Sequence, residues 1–325
     1  VIAAGSLLEL ALNEADYRIP VGRISSLYLK PLSFKEYIQA INPQAAQAIQ
    51  EATLQNPPPP SIHDYLLKAV KQYLALGGMP EVIAAHQNNA TPLNIQALQN
   101  NILSTYDSDL AHLSTHTHID ILRRTFQRIP HLVGQHIKYN KIDPDIRSRE
   151  LKTAIDVLTQ IHLTQPITAT TASGLPLAAT ENNKRFKLNF LDVGLTVRAC
   201  RIDSDFVAED NVMLLNQGAL AEQFVGQELA AHASSTEASK LYFWARGGHG
   251  TAEVDYLYTF KQHIIPIEVK SGKLGTLKSL MQFIKERQPP IGIRISPLPL
   301  QQESGGVVSV PLYMVSELNR LLTAL

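Results

Sequence analysis

The spacing of apolar residues divides the chain into a helical stretch and an alternating one. Leu66, Leu67, Val70, Tyr73 and Leu74 share one face of a helix, and residues Ile119–Ile129 and Arg149–Ile161 also read as helices. Gln44–Gln55 is rich in Ala and Gln and is expected to be helical. Asn56 and the four prolines after it then force an extended linker. Pro166–Leu191 reads as a hairpin. The last third predicts the order α-β-β-β-α-β. Its first helix spans Gly218–His232 with an apolar face of Ala221, Phe224, Val225 and Leu229. Three short strands follow between Lys240 and Lys270. Leu277, Leu280, Met281 and Ile284 recur at i, i+3, i+4, i+7 and mark a second helix. Strands are expected at Ile291–Ser296 and Pro311–Val315, then a helix capped by Ser316.

Charge in those short strands changes the picture. Glu253 and Asp255 point to one face of a strand, and so do Glu268 and Lys270, because strand side chains alternate. A hairpin loop at Phe260–His263 sets Thr259 against Ile264. That register puts Asp255 opposite Glu268, and Glu253 opposite Lys270. Opposed residues have Cβ atoms about 5 Å apart. Two carboxylates that close repel unless a cation lies between them. Mg²⁺ suits such a pair, since it takes one or two carboxylates plus waters and phosphate oxygens. The plainer alternative is a half-buried hairpin with a Glu253–Lys270 ion pair across the strands.

Asp255, Glu268, Val269 and Lys270 resemble, position by position, the active-site motif of the PD-(D/E)xK nuclease superfamily, and the order of elements agrees. The resemblance implies that Asp255, Glu268 and the Val269 carbonyl hold Mg²⁺ or Mn²⁺. It also implies that Lys270 orients the attacking water or steadies the phosphate. Superfamily members often add an acid from the first helix, which makes Glu222 the candidate. A solvated glutamate at the helix edge is the alternative there. The usual proline before the aspartate is missing, and Glu253-Val254 stands in its place.

Composition adds bounds. The 325 residues are enough for about two to three domains. The content is 45% hydrophobic and 18% charged with zero formal net charge, which argues against a strongly basic DNA-coating protein. The single cysteine, Cys200, excludes an internal disulfide framework and suits a cytoplasmic protein. No apolar run reaches the roughly 20 residues of a membrane span, so no membrane partner is expected. His112, His116 and His118 lack a fourth ligand and read as a surface cluster.

Further motifs widen the resemblance. Val1–Ala4 reads as a buried parallel strand followed by Gly5-Ser6. Pro20–Ile24, Tyr28–Tyr37, Leu76–Glu81, Thr105–Leu110 and Phe186–Leu195 follow. This succession resembles a family of prokaryotic AAA-type ATPases of unknown role, whose C-terminal half is a domain of unknown function grouped with the nuclease-like fold. The resemblance covers essentially the whole chain. It implies that Ser6, Arg23, Gly78 and Pro80 lie near a nucleotide, with ATP bound by the full-length protein. No G-x-x-x-x-G-K-[ST] is present, so the phosphate cradle is missing and the chain reads as a fragment. Exposed apolar surface at Val1, Ile2, Leu7 and Leu8 would favour self-association into a homo-oligomer.

The expected architecture is mixed α/β. Residues 1–95 would be the remnant of an ATPase core and its lid. Residues 96–205 would be a helical, winged-helix-like unit with Arg147, Arg149 and Lys152 toward phosphates. Residues 206–325 would be a restriction-endonuclease-like domain. The expected function is metal-dependent phosphodiester hydrolysis on DNA. The alternative is an inactive nuclease fold that binds nucleic acid or protein within an ATP-driven regulator.

Overall fold

The computed structural model describes residues 2, 4–5, 23, 25–113, 118–202, 217–247, 251–272 and 275–324. Helices α1 (Phe34–Ile41), α2 (Pro43–Glu51), α3 (Pro60–Leu76), α4 (Pro80–Gln87) and α5 (Pro92–Asp109) come first. Four of them start on proline, whose missing N–H is no loss in a first turn. Ser33 and Glu36 form a reciprocal capping box on α1. Gly77 ends α3 with φ of +76°, a conformation that suits glycine. Helices α6 (Ile119–Arg128), α7 (Tyr139–Ile142) and α8 (Ser148–Gln160) follow, then strands β1 (Thr164–Thr170) and β2 (Glu181–Phe190), and α9 (Val193–Ala199).

Helix α10 (Gln217–Ala231), strands β3 (Leu241–Ala245), β4 (Glu253–Phe260) and β5 (His263–Val269), helix α11 (Lys278–Arg287) and β6 (Gly292–Ser296) reproduce the expected α-β-β-β-α-β order. Two short strands, β7 (Gln301–Glu303) and β8 (Val307–Pro311), and a final helix α12 (Leu318–Ala324) complete the described chain. The strand expected at Pro311–Val315 is a 3-10 helix over Leu312–Glu317. Pro311 ends the preceding strand, and the apolar run Leu312–Val315 is buried without being extended. Ser148 is the first residue of α8 rather than its cap.

Among the described residues the strands form one sheet in the order β2-β1-β3-β4-β5-β6-β8-β7. The hairpin expected over 166–191 is β1 and β2, and β1 runs parallel to β3. The middle segment therefore extends the same sheet that carries β4 and β5. Thr259 pairs with Ile264 as expected, but the turn is only Lys261-Gln262, with Lys261 at φ +52°.

Helix α10 is buried along almost its whole length on one face of the sheet, and α11 covers the other. Phe34, Tyr73 and Phe224 meet edge to face, with ring centroids 5.8–6.3 Å apart. Each buried ring contributes about 1.5–3 kcal/mol, which is enough to seat α1 and α3 firmly on α10. One hydrophobic core thus runs from Phe34 to Leu322, shared by helices of the expected first unit and the sheet of the expected third. A second core holds α6, α8 and the end of β2.

Candidate acid cluster at the β4–β5 hairpin

The cluster sits where β2, α10, β4 and β5 converge. Buried glutamines fix this meeting. Gln223 both donates to and accepts from the backbone of Phe190, and Gln227 accepts from Val193 N–H at 2.8 Å. Those bonds tie α10 to the end of β2. Gly226 permits the fit, because a Cβ there would collide with Asn189 and Tyr256. Glu222 is therefore turned inward rather than solvated at a helix edge.

A bulge in the β3–β4 ladder re-aims β4. Tyr242 pairs with Leu257 and Trp244 with Val254, so β4 carries one extra residue between them. Val254 and Leu257 pack together in the α11 core, whereas Tyr256 packs in the α10 core. Asp255 stands at this irregularity. Its Oδ2 accepts from Val269 N–H at 2.8 Å, which locks it to β5.

Lys187 of β2 lies among the acids. Its ammonium is 2.8 Å from Glu253 Oε1, 3.1 Å from Glu222 Oε2 and 3.9 Å from Asp255 Oδ1. The other oxygen of Glu253 takes His136 Nε2 at 2.6 Å and Arg185 at 3.1 Å. His136 is brought there because Ile137 N–H donates to Phe186 O, docking its segment along β2. Lys270 pairs with Glu268 Oε1 at 2.6 Å. The alternative Glu253–Lys270 pair is not what forms: each of the two has nearer partners. Glu268 Oε2 is buried and finds no hydrogen-bond partner among the described residues.

The protonation preferences follow this geometry. Burial raises Glu222 to about 8, helped by the charge of Asp255 and opposed by Lys187. Burial and then Asp255 raise Glu268 to about 7. Asp255 is raised by burial, with Lys187 and the Val269 N–H pulling it back. Glu253 goes the other way: burial opposes its charge, but Lys187 and His136 prevail and lower it. Burial works against the charge of Lys187, and Glu222, Asp255 and Glu253 outweigh it and raise its pKa. Glu253 is satisfied, while Asp255, Glu222 and Glu268 are short of positive charge.

Whether the residues fit a metal is answered by the donor set. Among the described residues no three His, Cys, Asp or Glu side chains are arranged to hold an ion. The two-carboxylate set of Asp255 and Glu268 is different. Its two acids come from adjacent strands, and one buried oxygen stands unpartnered. Two carboxylates alone would suit only a cation that keeps most of its waters.

The other expected residues lie elsewhere. Gly78 is buried, and its N–H donates to Asp192 Oδ2 at 2.7 Å, so it offers nothing to a phosphate. Pro80 opens α4 beside it. Asp192 also accepts from Leu195 N–H at 2.9 Å and from Gln227 at 3.2 Å. Arg23, Ile2 and His118 are exposed. Ser6, Val1, Leu7 and Leu8, and the side chains of His112 and His116, lie outside the described residues. Cys200 is half-buried, and burial raises its thiol to about 11, which keeps it unreactive.

Lys187, Arg185 and His136 were missed in the sequence. A lysine flanked by Phe186 and Leu188 near a buried strand end was the available signal, since such a charge needs a partner. No described helix is long and apolar enough to cross a membrane.

Comparison with known proteins follows the same seam. Residues 67–205 match the model of a domain of unknown function, DUF8612. Residues 217–314 match that of another, DUF4143. No curated protein and no solved structure matches the chain. His136, Arg185 and Lys187 come from the first match, and the acids and Lys270 from the second, so residues 217–314 form an uncharacterised domain whose acid cluster is completed by the segment before it.

Proposed function

We propose that the C-terminal domain carries a divalent-cation site for phosphodiester hydrolysis, with DNA as the substrate class. The observation that carries this reading is Glu268 Oε2, buried and unpartnered beside Asp255. Asp255, Glu268 and the Val269 carbonyl would hold Mg²⁺ or Mn²⁺. Such an ion, when bound, supplies a water of lowered pKa and charge stabilisation at the scissile phosphate. Lys270, which pairs with Glu268 at 2.6 Å, would orient that water or steady the phosphate. In this reading the setting is the cytoplasm. Nicking of supercoiled plasmid in Mn²⁺ tests it. Asp255→Ala is expected to lower the rate at least 100-fold. No cleavage by the unaltered chain, or equal cleavage by Asp255→Ala, sinks the catalytic reading.

One observation favours a second reading. The ammonium of Lys187 already stands among three of the acids. A fold neutralised from within is suited to binding nucleic acid or protein without chemistry. DNA binding unchanged by chelator and by Asp255→Ala is its expected signature.

A further inference from the structure

We propose that the cavity between α5 and the end of α9 is a binding site for a phosphate group, held by Arg198 and Arg201. The inference does not rest on the metal reading above. The site lies within residues 67–205, in the other of the two matched domains.

The cavity measures about 540 Å³, a size common among small-molecule sites. Gln96, Asn100 and Leu103 line it from α5, at a spacing that shares one helix face. Arg198, Arg201 and Ile202 line it from α9 and the turn that follows. Two guanidinium-bearing residues thus face one cavity, and no carboxylate lines it.

What holds Arg198 is neutral. Its Nε donates to Asn100 Oδ1 at 2.7 Å, and its Nη1 donates to Gln96 Oε1 at 3.3 Å. Side-chain amides fix a guanidinium in place as carboxylates would, but they leave its charge uncancelled. Arg201 is exposed, and its guanidinium has no hydrogen bond or ion pair among the described residues.

The end of α9 accounts for neither arginine. A helix C-terminus attracts cations through its open carbonyls. Here the backbone closes them: the N–H groups of Cys200, Arg201 and Ile202 donate to the carbonyls of Thr196, Arg198 and Val197 at 3.0–3.1 Å. To make that turn Arg201 takes a φ of +53°, where glycine is favoured. The chain therefore carries a guanidinium at a position where the backbone favours no side chain, and that guanidinium answers nothing within the described fold.

Phosphate suits these donors better than carboxylate. Arg198 keeps Nη2, Asn100 keeps Nδ2, and Arg201 keeps its whole fork. A phosphate monoester carries about two negative charges at neutral pH and offers three oxygens in different directions. One carboxylate fills a single fork.

The test is calorimetric titration of the 325-residue chain with inorganic pyrophosphate, at low salt and with chelator present. Chelator keeps any divalent ion from carrying the anion to the acid cluster, so failure here is separate from failure of the phosphodiester reading. Pyrophosphate is expected to bind. Arg198→Gln and Arg201→Gly are each expected to weaken it at least tenfold, roughly the loss of one charge-assisted pair. Arg201→Gly suits the left-handed turn, so it removes the guanidinium without straining the backbone. It decides alone if Arg198→Gln fails to fold. No binding by the unaltered chain at millimolar pyrophosphate overturns the proposal, and so does a loss of less than tenfold in Arg201→Gly. Citrate, which carries a similar charge on carboxylates, is expected to bind at least tenfold more weakly than pyrophosphate. A smaller difference overturns the assignment to phosphate.

Discussion

Two buried acids of this molecule, Asp192 and Glu268, differ in how completely they are answered. Asp192 is fully buried yet accepts from the N–H groups of Gly78 and Leu195 and from Gln227. Burial still raises its pKa, and those donors counter the rise. Its donors come from the turn after α3, from α9 and from α10, so one carboxylate joins three elements. Glu268 has one oxygen on Lys270 and one on nothing described. Donors aimed inward from several elements mark an acid that holds the fold. An acid short of donors is where the proposed cation would bind.

The contrast can be broken most strongly at Asp192. Asp192→Ala strands the N–H groups of Gly78 and Leu195, and is expected to cost about 3 kcal/mol or more in urea unfolding. A loss under 1 kcal/mol would mean that the joint is not structural. Gly77→Ala attacks the same joint from the other side. It places a Cβ against the Asp192 carboxylate at a backbone φ of +76°, with an expected loss of about 2–3 kcal/mol. Glu268→Gln should behave in the opposite way. The amide keeps an acceptor for Lys270 and removes a repelled charge, so stability should change by no more than about 1 kcal/mol. Mn²⁺ affinity should nevertheless fall at least tenfold. A large stability loss without a loss of Mn²⁺ would place Glu268 with Asp192.

Glu228 is the intermediate case. It is buried, accepts the Phe34 N–H at 2.7 Å, and is raised to about 8 by burial. A carboxyl raised in the folded state favours folding while protonated. That contribution is complete below the unfolded value near 4.3 and is lost as pH rises through about 8. The melting temperature is therefore expected to fall between about pH 5 and 8, and Glu228→Gln should flatten part of the fall. An unchanged slope in the variant would remove Glu228 from the account.

The part of the site that local rules govern was legible in the sequence. Alternation and a tight turn put Asp255 beside Glu268, and the Thr259–Ile264 register holds although the turn is shorter than expected. Helical periodicity found α10 and α11. What escaped was long-range. Nothing near Lys187 or His136 in the chain announces Glu222 or Glu253, because the contacts span 35 and 117 residues of sequence. The bulge at Asp255 also has no sequence mark. The Leu312–Val315 run was misread because a buried apolar segment looks the same whether extended or coiled. Gly77-Gly78 was read toward a nucleotide because its true partner, Asp192, lies 114 residues away from Gly78.

The two-residue turn between β4 and β5 has a consequence in time. Asp255 and Val269 are 14 residues apart, and a hairpin of this kind closes in about 1–10 μs. His136 reaches Glu253 across 117 residues, a closure that must wait for the rest of the chain. Asp255 and Glu268 are thus brought together before His136 can arrive. During that interval Lys270, two residues beyond Glu268, is the cation that the ribbon itself brings to that acid.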